Sequence, residues 1–170
     1  MKTFQEYSIQ FSGLKPGKHE YEFEIGNRFF EDIEYSEIKQ GKVDVSLELD
    51  KHSIMLVLVF KISGEVKVTC DRCADEFFLP IEDTQQLIVK FGDEAVEESE
   101  DVIVLPRNEK EINLSQYIYE YIILALPTKR LHPEGKCNKE AIKKLKNLEK
   151  HTKENQSDPR WDGLKNIKLN

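Results

Sequence analysis

The chain has 170 residues, enough for one domain, or one domain with an appendage, around a sizeable buried core. With 39% apolar and 34% charged residues its composition is that of an ordinary folded soluble protein, which excludes the disordered, fibrous and membrane-embedded classes. The net charge of −7 is unevenly spread: Thr128 onward holds 12 Lys/Arg against 6 Asp/Glu, a balance of +6, while residues 1–127 hold 13 against 26, a balance of −13.

The opening "MKTFQEYSIQ" is polar where a secretory signal needs an apolar block, and the longest apolar run, "IMLVLVF" at 54–60, is far short of a membrane span. The expected compartment is therefore cytoplasmic and reducing, where three cysteines point to thiols or a metal site before a disulfide framework.

The first hundred residues alternate with period two. Tyr7/Ile9/Phe11, Tyr21/Phe23/Ile25, Val43/Val45/Leu47/Leu49 and Val66/Val68 each line one face of a half-buried antiparallel strand. The runs 54–62 and 85–91 are more continuously apolar and suit central strands. Turn signals fall at "GLKPGK" (13–18), "LDKHS" (49–53) and Gly64. Residues 26–40 fit either a short helix or an irregular edge. The acid-rich stretch 92–101, "GDEAVEESED", is most simply a solvated loop, with phosphate mimicry towards a basic partner as the sharper alternative.

The chain then turns helical. Asn113 is a candidate N-cap with Gln116 placed to reach back to it and Ile112 to staple onto Tyr117, while Pro127 marks the end. "LSQYIYEYIILAL" is apolar almost all round and should lie against the sheet. A second helix is expected over 138–153, capped by Asn138, with a narrow stripe of Ala141, Ile142, Leu145 and Leu148 and lysine-rich faces elsewhere. Beyond a polar hinge, Asp158 and Pro159 start a short helix bearing Trp161, Leu164 and Ile167; a helix that short needs something to dock on. The expected class is thus α+β: an antiparallel β-rich sandwich or partly open barrel with a packed helix and a helical basic C-terminal region. Its expected divisions are 1–127, the β body with a closing helix over 113–126, and 128–170, the His/Cys loop and the two following helices.

Cys70 and Cys73 form a C-x-x-C pair with Asp71 and Arg72 between them, and His132 and Cys137 stand at H-x4-C spacing with Pro133 and Gly135 to bend the loop. Four such ligands, Cys70, Cys73, His132 and Cys137, suit one structural zinc ion. Two alternatives stand beside it. Cys70 can be a strand residue on the face of Val66 and Val68, with Cys73 and Cys137 incidental. A redox pair requires a helix after the first cysteine, and "ADEFFLPIED" reads as a returning strand instead.

The order of these features resembles the YceD family: "GEVKVTCDRC" (64–73), then "PIE", an acidic loop, a helix ending "ILALP" (123–127), an H-x4-C loop and a "DPRWDGL" tail. The resemblance implies a role in making or keeping large-subunit (23S) ribosomal RNA, with no enzymatic activity attached. Members are often encoded beside a small zinc-ribbon protein of the large ribosomal subunit. Their Asn-Pro-Phe-like ending corresponds here to Asp158, Pro159 and Trp161.

The expected function is then a non-enzymatic ribosome-assembly factor whose basic end meets ribosomal RNA or a large-subunit ribosomal protein, with no membrane and no small-molecule substrate. Lys129, Arg130, Lys136, Lys139, Lys143, Lys144, Lys146 and Lys150 are the candidate phosphate contacts, which position without specifying sequence, and Trp161 is a candidate partner contact. Two other functions compete: a protein-binding adaptor that never touches RNA, and a thiol oxidoreductase or a hydrolase using Cys137 with His132. Against an enzyme, the chain has no glycine-rich phosphate loop, nucleophile elbow, paired-carboxylate motif or metalloprotease pattern.

Overall fold

The computed structural model describes residues 3–92 and 101–154. The chain divides into two compact units, Met1–Thr69 with Glu76–Arg130, and Cys70–Asp75 with Leu131–Asn170. The Trp161 helix, and all of the acidic stretch except Gly92 and Asp101, lie outside the described residues.

The first unit is built on a five-stranded sheet. Its strands are β2 (Gly17–Ile25), β3 (Gly41–Lys51), β4 (Met55–Thr69), β5 (Glu76–Phe91) and β6 (Val102–Leu105), in spatial order β2-β3-β4-β5-β6. Successive strands pair antiparallel except β6, which runs parallel to β5 with Ile88 opposite Val102. A separate two-stranded ribbon joins β1 (Ser8–Gln10) to β7 (Glu111–Asn113). The fold is α+β with a mostly antiparallel sheet that does not close on itself. Among the described residues no helix is long and apolar enough to cross a membrane.

Period-two alternation decides which face is buried. Val43, Val45, Leu47 and Leu49 of β3 point the same way as Leu56, Leu58, Phe60 and Ile62 of β4, and all eight are essentially inaccessible to solvent. Registers such as Leu49 opposite Leu58 and Leu58 opposite Leu87 stack these side chains across three strands. Each such apolar side chain stabilises the fold by about 1.5–3 kcal/mol relative to exposure. The core is completed by Phe29 and Phe30 of the short helix α1 (Asn27–Glu31), by Ile33 and Ile38 of the loop after it, and by Ile118 and Ile122 of α2 (Ser115–Leu124). Residues 26–40 thus hold a short helix followed by irregular chain.

Three local features refine the sequence expectations. Gly64 is not a turn: β4 runs straight through it, uniting the 54–62 and 66–68 segments into one strand of 15 residues. Gly64 has φ of 157°, and a Cβ there would lie 2.3 Å from the carbonyl oxygen of Lys42 and 2.6 Å from Cα of Val43, so the residue permits a close approach of β3. Second, α2 begins at Ser115 without a side-chain cap at Leu114. The Asn113 Oδ1 accepts from the Ser115 N–H at 2.9 Å instead, and Gln116 donates to Glu120 at 2.9 Å instead of reaching back. Third, Pro80 is tolerated inside β5 because that stretch pairs only with β4; β6 joins β5 further on, from Ile88.

In the second unit, α3 (Lys139–Glu154) starts where the sequence places it. The Oδ1 of Asn138 accepts from the N–H groups of Glu140 at 3.0 Å and Ala141 at 3.3 Å, satisfying two of the four orphan donors of the first turn. Ala141 and Ile142 are half-buried, whereas Leu145 and Leu148 are exposed, so the apolar stripe is covered only near the helix start.

Candidate metal centre

The C-x-x-C pair sits on the turn between β4 and β5. The Cys70 N–H donates to the carbonyl of Asp75 at 2.9 Å, and the Ala74 N–H donates to the carbonyl of Cys70 at 2.9 Å, which folds the five residues Cys70–Ala74 into a knuckle. Ala74 takes φ of 61°, a left-handed conformation rare for a residue with a Cβ. Both sulfurs are withdrawn from water, Cys70 being 2% and Cys73 7% exposed.

The second half is a β-turn. The Lys136 N–H donates to the carbonyl of Pro133 at 3.0 Å, with Gly135 at φ of 80° in the third position, where only glycine is unstrained. The turn brings His132 and Cys137 to the same point. Asn138 also ties the two halves together, its Nδ2 donating to Oδ2 of Asp75 at 3.2 Å.

The outcome is a four-residue cluster in which the Sγ atoms of Cys70, Cys73 and Cys137 and a ring nitrogen of His132 all lie within 4.8 Å of one another. Cys70 and Cys137 sulfurs are 3.9 Å apart, Nδ1 of His132 is 3.4 Å from Cys73 Sγ, and the same nitrogen is 3.9 Å from Cys137 Sγ. Tetrahedral zinc with sulfur at about 2.3 Å and nitrogen at about 2.0–2.1 Å sets ligand–ligand edges of about 3.8 Å for S–S and about 3.6 Å for S–N. The donor set and its spacing therefore fit such an ion, with His132 presenting Nδ1.

Electrostatics point the same way. Burial opposes ionisation of Cys70, but the backbone N–H groups of His132, Arg72 and Cys73, with the His132 ring, outweigh it and bring the thiol down to about 6. Desolvation and the adjoining Cys70 and Cys73 sulfurs push Cys137 up. Three sulfurs this close carry charge together only around a cation. A redox reading lacks its structural support, because Cys73 leads into the strand β5 and not into a helix whose N-terminus would hold a thiolate.

The basic candidates fall in both units. Lys129 is exposed and Arg130 is partly covered, its guanidinium 3.7 Å from the Glu37 carboxylate within the sheet unit. Lys136, Lys139, Lys143, Lys144 and Lys146 are all exposed in the second unit; Lys150 lies in α3, and Trp161 is outside the described residues. Sequence reasoning treated Arg72 only as a spacer of the knuckle. It in fact lines a groove of about 550 Å³ with Cys137, Lys139, Ile142, Leu145 and Lys146. The available signal was its place at the tip of a C-x-x-C turn.

Fold and site together define a class: an α+β protein with an open, mostly antiparallel sheet, a Cys3His cluster and a lysine-rich helix directly after the last cysteine. The family model described as "Large ribosomal RNA subunit accumulation protein YceD" matches residues 58–168, and the chain belongs to that family. The matched span runs from β4 through both halves of the cluster. No curated protein and no solved structure matches the chain.

Proposed function

We propose that this protein is a non-enzymatic, cytoplasmic ribosome-biogenesis factor that supports accumulation of large-subunit (23S) rRNA, with a zinc-braced basic surface that meets RNA phosphate. The family's printed description supports the ribosomal RNA link. The observation that carries the mechanism is the gathering of Cys70, Cys73, His132 and Cys137 immediately ahead of α3, within one compact unit.

In this reading zinc would supply charge neutralisation for three thiolates and closure of the four-ligand shell, as structural zinc does. Asn138 caps α3 and holds Asp75, so the helix bearing Lys139, Lys143, Lys144, Lys146 and Lys150 starts from the braced site. Arg72, Lys139 and Lys146 flank the apolar floor of Ile142 and Leu145, a groove suited to a phosphate with its base or sugar beside it. Such contacts position the RNA and leave its sequence unread.

Elemental analysis tests the metal: stoichiometric zinc in the purified protein, lost in Cys70→Ser, is the expected result. Binding of a large-subunit rRNA fragment across a salt series tests the surface. The slope of log K against log salt should flatten by about 0.7–0.9 for each phosphate-contacting lysine changed to glutamine among Lys139, Lys143, Lys144 and Lys146. A salt-independent affinity, or none, removes the RNA contact and leaves the adaptor reading. Pull-down with Trp161→Ala is an independent test of the two readings: loss of a protein partner with RNA binding intact favours the adaptor.

A further inference from the structure

A second concavity, of about 690 Å³, lies wholly within the sheet unit. Its apolar wall is formed by Tyr35 and Leu124, which at 68% and 65% exposed are among the most uncovered large side chains of the described residues, together with Tyr119. The rings of Tyr35 and Tyr119 meet edge to face at 5.6 Å, and the Tyr119 hydroxyl accepts the Glu37 N–H at 3.3 Å, fixing the wall to the loop that carries Tyr35. Glu37, Asp101, Glu120 and the neutral Gln85 form the polar part of the lining.

The sign of the charge selects the occupant. Three carboxylates and no lysine or arginine are among the residues that line the groove, so its local field repels phosphate and draws cations. The phenol of Tyr121 in the same wall registers that field: burial pushes it up to about 12, and the charges of Asp101 and Glu120 push in the same direction. One of the three acids already pairs with an arginine of the same unit, Arg130 lying 3.7 Å from the Glu37 carboxylate. Exposed tyrosine faces stack on a planar guanidinium, and carboxylates accept its N–H pairs, a combination that favours arginine over lysine.

We infer that this groove is a docking site for an arginine-bearing segment of a basic protein, the guanidinium entering between Tyr35 and the Asp101/Glu120 carboxylates and a neighbouring apolar side chain covering Leu124. It is formed by residues of the sheet unit, whereas the RNA surface proposed above is formed by residues of the other. An RNA-binding protein that also holds a basic protein in this way would bring the two components of a ribosomal particle to one chain.

The test titrates isotopically labelled full-length protein with an acetylated arginine–leucine–arginine amide, and with a twin in which citrulline replaces both arginines at unchanged shape. Saturable amide shifts are expected at residues 35–37, 101 and 119–124, with the citrulline twin and the Asp101→Asn/Glu120→Gln variant each weakening binding about tenfold. Leu124→Ser, an exposed substitution that leaves every charge in place, should weaken both peptides equally. Equal affinity for the two peptides, indifference to Asp101→Asn/Glu120→Gln, or shifts confined to other residues overturns the inference. So does an RNA fragment that saturates the same amides. Loss of RNA binding through the α3 lysines would leave these peptide shifts in place, so the two readings fail separately.

Discussion

Asn138 is the residue through which the proposed zinc site and the basic helix depend on each other, and its replacement by alanine is the most informative single change. The substitution removes two acceptor contacts, to the N–H groups of Glu140 and Ala141 at 3.0 and 3.3 Å, and the 3.2 Å bond to Asp75. Loss of an N-cap costs about 1 kcal/mol, and an exposed side-chain hydrogen bond adds about 0.5 kcal/mol. The sum, about 1.5 kcal/mol, corresponds to roughly a tenfold loss of zinc affinity if the ion, the knuckle and the first turn of α3 close together. Chelator competition reads the affinity, and far-ultraviolet circular dichroism reads the helix. Two companions apportion the effect: Asp75→Ala removes only the bridge and should cost two- to threefold, while Asn138→Asp keeps a good cap but sets a carboxylate against Asp75. Zinc affinity within twofold of the parent in Asn138→Ala would show that helix and site form independently, and the coupling would be refuted.

Gly64→Ala should lower stability by about 3 kcal/mol or more, read from the urea midpoint, because the new Cβ lands 2.3 Å from a backbone oxygen of β3 and the backbone there disfavours any side chain. A loss below about 1 kcal/mol would mean that β3 moves aside and that the close strand approach is not needed. Ala74→Gly should raise stability by up to about 1 kcal/mol, since φ of 61° is strained for alanine, and a lower thermal midpoint would contradict the knuckle geometry. Tyr121→Phe should stabilise by about 1 kcal/mol, because among the described residues its buried hydroxyl has no hydrogen-bond partner. The same phenol ionises at 10.0 when unfolded and at about 12 when folded, so its contribution is intact below pH 10 and lost as pH rises through 12. Denaturation of the Tyr121→Phe protein should lack that alkaline component, and an unchanged alkaline profile would assign it to other groups.

The strands were legible where one face is wet. Val43 to Leu49 alternates with charged and polar partners, and the structure buries every second side chain. Gly64 misled because glycine marks turns and close strand contacts alike, and only the position of β3 tells them apart. The parallel pairing of β6 had no local sign, since strand direction is set by a connection and not by the strand. Asn138 was readable as a cap because its partners are two and three residues away, and so was the candidate site, because spacing and donor chemistry both narrow the choice. Arg72 and the Tyr35–Leu124 groove were not readable: each joins segments that are distant in the chain, Arg72 with Cys137 and Tyr35 with Tyr119, and no periodicity encodes that.

The two halves of the Cys3His cluster are far apart along the chain, Cys73 and His132 being 59 positions from each other. Drawing such a ring shut removes roughly 4 kcal/mol worth of disorder from the unfolded chain by the usual polymer estimate. The zinc ion proposed above would do this reversibly, unlike a disulfide, so the fastening would be undone by scarcity of the ion. It would also set an order of events during synthesis: nothing could be fastened until Cys137 has emerged, by which time every described strand has been made. With the proposed ion bound, the lysine-bearing helix would be tied down only then, at a moment set by the supply of metal.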